Sequence, residues 1–251
     1  MVNGLTNKKM KMSIKLLLSS LLFIGLFSAC EDDIIEETKP TIDSIADIDG
    51  NIYTTVKIGD NWWMAEDLKV TRFRNGNNIA NSQSQSDWSS GVAASCLFED
   101  NQQSPGLLYN WDAVNHSDGL APEGWHVATE SEWQELEKHL GMNADEIEKV
   151  NWRESGSCGD QLKVRGPESW LRFGEVWGNN KSGFTALTPA GRLANGSWAN
   201  PGLGYCGYWW SATEKDYETA FFRNLDYKKS GVFRFYVSKK FGMAVRCVKN
   251  K

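Results

Sequence analysis

The 251 residues include only three histidines and six prolines. His116, His126 and His139 share no ligand spacing, and the chain has no G-x-S-x-G, H-E-x-x-H or phosphate-cradling loop. This rules out the recognisable hydrolase, zinc-protease and nucleotide motifs. No two cysteines stand close together, so a C-x-x-C redox or zinc site is excluded. Positive charge is also short. The formal net charge is −5 and no basic stripe offsets it, which excludes a nucleic-acid backbone as partner. Carboxylates are plentiful but scattered, and no pair stands out for glycoside cleavage. The main apolar run, Leu16 to Phe27, is too short to span a bilayer as a mature helix. The sequence therefore points to no catalytic residue, no cofactor and no metal.

Aromatic residues are abundant. They make up 12% of the chain, with 12 Trp, and give it ample surface to bury against the entropy of ordering. At the other end of the chemistry stands an address. "NKKMKMSIKLLLSSLLFIGLFSAC" has a lysine-rich head, an apolar middle and small residues before Cys30, the pattern of a secretory signal peptide over residues 1–29. Its ending, "LFSAC", resembles the bacterial lipoprotein processing box. The resemblance implies cleavage before Cys30, acylation of its thiol and a lipid anchor in a membrane. Losing Lys8, Lys9, Lys11 and Lys15, and no acid, takes the formal charge from −5 to −9.

Residues 30–45 read as an acidic tether. "EDDIIEETKP" serves as a solvated spacer, and it also resembles the surface-export signal of lipoproteins in Bacteroidetes-type bacteria. The expected location is the outer membrane, facing the cell exterior. Cys96, Cys158, Cys206 and Cys247 remain, an even number in an exported chain with three possible pairings. Disulfides closing long loops are expected, and buried thiols are the alternative.

Residues 46–251 read as one domain of short strands and turns. "DGNIYTTVKIGDNWWMAEDL" alternates like a hairpin, with its turn at Gly59-Asp60-Asn61. Asp47, Asp49 and Asn51 lack the glycine and distal glutamate of a calcium loop and read as a turn before a strand. Residues 75–106 are polar and predict a long loop, and "LLYNWDAVN" predicts a strand or a helical turn. Thr129 and Glu132 have capping-box spacing. Trp133, Leu136 and Leu140 then share one helix face, and Gly141 ends it. A second short helix is expected from Asn143, with Glu146 three residues on. "GYWWSATE", "ETAFFRNLDY", "GVFRFYVSKK" and "GMAVRCVKN" predict closing antiparallel strands, with "DYKKSG" as a turn.

Together "DIDGNIYTTVKIGDNWWMAEDLK", "CLFEDN", "GLLYNWDAVN", "LAPEGWHVATESEWQELEKHLG", "SGFTALTPAGR", "GYWWSATE" and "FGMAVRCVKN" resemble the Fibrobacter succinogenes major paralogous domain. The resemblance implies an α+β, C-type-lectin-like fold: short antiparallel strands, one or two helices and long irregular loops. It is also similar, distantly, to the domain of formylglycine-generating enzymes. It implies Cys96–Cys247 as one disulfide, with Cys158–Cys206 as the second. Where the family commonly has asparagine this chain has Asp67, and where it commonly has proline this chain has Ala128. The Glu-Pro-Asn or Gln-Pro-Asp loops of calcium-dependent lectins are missing, which argues against calcium.

The aromatic doublets remain. Neighbouring side chains on a strand alternate faces, so Trp62-Trp63 and Tyr208-Trp209-Trp210 should each leave a ring opposite the core. That ring packs under the loop 75–106, or it stays exposed and stacks on a ligand. Trp210, Tyr208 and Trp63 are the expected stacking residues. Arg192 is their polar neighbour, or else a salt bridge or carbonyl clamp. The function expected is non-catalytic binding of a glycan or a surface protein. An enzyme related to formylglycine-generating oxidases and a structural surface-layer component are the alternatives.

Overall fold

A computed structural model describes residues 42–98, 106–166, 169–171, 178–199 and 204–251. The signal peptide, Cys30 and most of the tether lie outside the described residues. The described chain opens with β1 (Ile42–Ala46), so the end of the segment read as tether is strand. β2 (Ile52–Ile58) follows, and β1 pairs with it antiparallel. The Asp47 carboxylate builds the turn between them. It accepts from the backbone N–H of Asp49 and Asn51, from Asn51 Nδ2 and from the Tyr53 hydroxyl, so its lone pairs are used inside the turn. β3 (Asn61–Met64) completes the predicted hairpin, with Ile58 opposite Asn61 and Gly59 at φ +62° between them.

The polar region from residue 75 contains β4 (Ala80–Asn81), the single turn α1 (Gln85–Trp88) and β5 (Ala94–Cys96). β6 (Leu108–Asn110) runs straight into α2 (Trp111–Val114), with Asn110 as its cap, so "LLYNWDAVN" holds both strand and helical turn. β7 (Trp125–Val127) leads to α3 (Glu130–His139). The Thr129–Glu132 capping box is formed, Trp133, Leu136 and Leu140 are buried, and Gly141 follows at φ +99°. The helix expected from Asn143 does not form. Glu146 turns its carboxylate to the N–H and hydroxyl of Ser155, and the Asn143 N–H donates to the Ser155 hydroxyl, so the capping groups tie down a turn instead.

β8 (Asn151–Arg153), α4 (Cys158–Leu162), β9 (Gly191–Arg192) and β10 (Trp198–Ala199) come next. The predicted closing strands are β11 (Cys206–Glu214), β12 (Thr219–Asp226), β13 (Val232–Ser238), β14 (Gly242–Met243) and β15 (Cys247–Lys249). Among the described residues three sheets result, ordered β1-β2-β3-β15-β7, β10-β9-β14-β6-β5-β4 and β11-β12-β13-β8. The architecture is α+β and mostly sheet. Two apolar cores share it, and β11 runs between them. One edge of β11 pairs with β12, while backbone bonds from Trp210 N to Ala244 O and from Ala244 N to Tyr208 O hold the other.

The expected disulfides are not formed. All four cysteines are buried and no two lie at disulfide distance. Cys96 on β5 sits in one core and Cys247 on β15 in the other. The Cys158 thiol donates to the Glu137 carbonyl at 3.4 Å, while that of Cys206 donates to the Tyr208 hydroxyl at 3.3 Å. Cys96, Cys158 and Cys247 pack in the cores as buried thiols do.

Candidate functional site

Three of the four expected ligand-binding residues are interior. Trp63 and Trp210 are 0% exposed and Arg192 is 1% exposed, so none of them stacks on a ligand. Alternation does send Trp209 and Trp210 to opposite faces, but a core waits on each side. Trp209 enters one and donates to Asp67 Oδ1 at 2.8 Å, and Trp210 enters the other and donates to the Tyr109 carbonyl at 2.8 Å. Trp63 packs against Trp133, with ring centroids 5.2 Å apart. Arg192 is the carbonyl clamp. Its guanidinium binds the carbonyls of Ser82, Gln83, Ser84 and Gly196, held 4.7 Å from the Trp88 ring and 5.0 Å from that of Trp198. Tyr208 alone remains half-buried, and in the other doublet Trp62 is the half-buried ring.

Tyr208 begins a row that crosses the four-stranded sheet. Its ring lies 6.4 Å from Phe222 on β12, Phe222 lies 6.0 Å from Phe233 on β13, and Phe233 lies 5.3 Å from Trp152 on β8. Register and pleat cause this. Tyr208 and Phe233 both stand opposite Asn224, and Trp152 stands opposite Phe233, so every strand sends a ring to the same face. Phe235 extends the row along β13, 6.0 Å from Phe233. Phe222 is buried, whereas Tyr208, Phe233, Phe235 and Trp152 are half-buried. Polar groups rim one end. Lys229 sits 5.7 Å from the Trp152 ring and pairs with Glu154 at 3.2 Å. With strands about 4.8 Å apart, four of them give a row roughly 14 Å long.

The opposite face of the same sheet carries buried charge. Glu130 and Glu137, one face of α3, meet Arg153, Arg223 and Arg234 from β8, β12 and β13. Glu137 takes both Nη atoms of Arg153 at 2.7 Å and Nε of Arg223 at 2.6 Å. Glu130 takes both Nη atoms of Arg223 at 2.8 and 2.9 Å and Nε of Arg234 at 2.5 Å. Burial alone would lower the pKa of Arg223, but Glu137 and Glu130 outweigh it and hold the group above its ordinary range. Burial would raise the pKa of Glu130, but the two arginines on it win and keep it low. Arg153, with one carboxylate, is left with its pKa lowered by burial and with no partner at Nε. Glu130 and Glu137 are not among the site residues expected from the sequence. Their spacing of seven, with Trp133 between, was the signal that acids lie on the helix's buried face.

One histidine and two thiols outside this network are held by neighbours or by burial. His126 contacts Glu132 at 2.8 Å and Asn250 at 2.6 Å, and the hydrogen bond to Glu132 raises its pKa. Burial pushes the Cys158 thiol up to about 12 and raises that of Cys247 as well, so neither is a thiolate at neutral pH. Among the described residues, no group of three or more His, Cys, Asp or Glu could hold a metal ion.

The Fibrobacter succinogenes major domain model matches residues 56–249. The chain belongs to this family. The match runs from within β2 to the end of β15, so it takes in the ring row and the ion network and leaves β1 before it. Within the matched span Asp67 accepts from Arg246 Nε as well as from Trp209. No curated protein matches the chain, and no solved structure does.

Proposed function

We propose that the protein is an acylated lipoprotein on the outer face of the outer membrane. Its folded body is a non-catalytic binding domain of C-type-lectin-like architecture, and it holds a glycan chain along the ring row. One observation carries the reading: each of four adjacent strands contributes a ring to one line, in which Tyr208, Phe233 and Trp152 are half-buried. Aromatic faces stack on the apolar faces of sugar rings, and a row of them suits a short oligosaccharide more than a single unit. Lys229 and Glu154 beside Trp152 supply hydrogen bonds for hydroxyl groups. The inert Cys158 thiol weighs against cysteine oxidase chemistry at that position. The signal sequence and Cys30 supply the address, and the acidic segment after it supports export to the surface.

The test is a glycan array probed with the mature protein and with Phe233→Ala. The expected result is binding to at least one glycan class, lost in the variant. A blank array would remove the glycan reading, and equal binding by both proteins would remove the ring row as its site. Mass spectrometry of the native N-terminus tests the anchor, and an unacylated, uncleaved chain would contradict it.

A further inference from the structure

A second site lies on a different sheet. A pocket of about 210 Å³ opens beside β1, lined among others by Asp43, Thr55, Trp62, Glu123, Trp125 and Lys249. Strand register explains why these residues meet. Asp43 stands opposite Thr55 and Thr55 opposite Met64, and Trp62 shares the face of Met64 two residues along β3. Val248 pairs with Trp63, so the next antiparallel step sets Lys249 beside Trp62, and Lys249 itself stands opposite Trp125. Further along, the same face buries Tyr53, Met64 and Cys247, so the floor is held by the core. At its outer end Trp62 is only half-buried, and Asp43 and Lys249 are exposed.

We infer that this pocket binds one saccharide unit in its neutral form. Asp43, Glu123 and Lys249 set acceptors and a donor of both charge signs around the opening, and Glu123 also lies 3.7 Å from Arg74. A neutral polyol satisfies all three, since carboxylates accept from its hydroxyls and the ammonium donates to them. The Trp62 indole provides the apolar surface that a sugar ring covers, and Trp125 backs the pocket with a buried ring. The volume lies below the roughly 300 Å³ at which pockets for drug-sized ligands begin, which fits a single ring. β1, which brings Asp43, precedes the family-matched span, so one wall of the site comes from outside it. The site does not depend on the ring row.

The experiment uses the mature protein labelled with 5-fluorotryptophan. Methyl glycosides of glucose, galactose and N-acetylglucosamine are titrated in turn and followed by fluorine NMR, with the Trp62 resonance assigned from Trp62→Phe. The expected result is a saturable shift of that resonance by at least one glycoside. Asp43→Asn or Lys249→Met should weaken binding about tenfold, the weight of one charge-assisted hydrogen bond. Both alter exposed side chains, so folding is preserved, and Trp152→Ala should leave this binding unchanged. No shift with any glycoside would overturn the inference, and so would affinities untouched by Asp43→Asn and Lys249→Met together. Loss on Trp152→Ala would also overturn it, because the binding would then belong to the ring row.

Discussion

The two faces of the β11–β12–β13–β8 sheet are built from alternate residues of the same strands, yet they solve opposite problems. Arg223 points to α3 and is fully enclosed by two carboxylates, while its neighbour Phe222 points away and joins a line of rings. On the α3 side every charge is committed, so a change there should be felt throughout the fold. On the ring side Phe233, Phe235 and Trp152 are half-buried, so a change there should be felt at the surface. The charged side is closed by its ion pairs, and the aromatic side packs on the second core while leaving Tyr208, Phe233, Phe235 and Trp152 half-buried.

The sharpest way to break this contrast is Glu137→Ala. It strands Arg153 and Arg223 without their shared carboxylate, and removing one partner of a buried ion pair costs about 3–5 kcal/mol. Urea denaturation should show that loss, and a change below about 0.5 kcal/mol would deny the network its role. Trp152→Ala on the other face should lower stability by only about 1 kcal/mol, because the ring is half-buried. It should still weaken glycan binding about tenfold, as read by calorimetry.

Acid gives the next contrast. The folded pKa of Glu130 is lowered, so its contribution is present above its ordinary value of 4.5 and is lost as pH falls through the folded value. Unfolding followed against pH should therefore steepen on the acid side, and Glu130→Gln should flatten that limb. The smallest effect belongs to His126, whose folded pKa is raised. Its contribution is complete below its ordinary value of 6.5 and fades as pH rises through the folded value. With 37% of its side chain exposed, a melting temperature measured from about pH 6 to about pH 9 should fall slightly, and His126→Ala should remove the trend.

Local chemistry was legible in the sequence. The α3 capping box, the Gly59 turn and the closing strands follow from spacing within a few residues, and the structure contains them. Features that depend on what lies across the fold were not. Alternation placed Trp210 opposite Trp209 but carried no sign that β11 has a core on both sides. Helical periodicity put Glu137 on the face of Trp133, yet only the sheet beneath shows why an acid belongs there. For Arg192 the sequence allows a ligand contact, a salt bridge or a carbonyl clamp, and the carbonyls of Ser82 to Ser84 realise the clamp. The disulfide pairings came from family likeness, and the separate cores holding Cys96 and Cys247 remove the first of them.

Carbene footprinting of the mature protein, with and without the tightest ligand from the array, tests the ring row most directly. Protection should concentrate on Tyr208, Phe233, Phe235 and Trp152, with labelling of the exposed hairpin residue Tyr217 unchanged. Protection that spares all four rings while the ligand is bound would contradict the account.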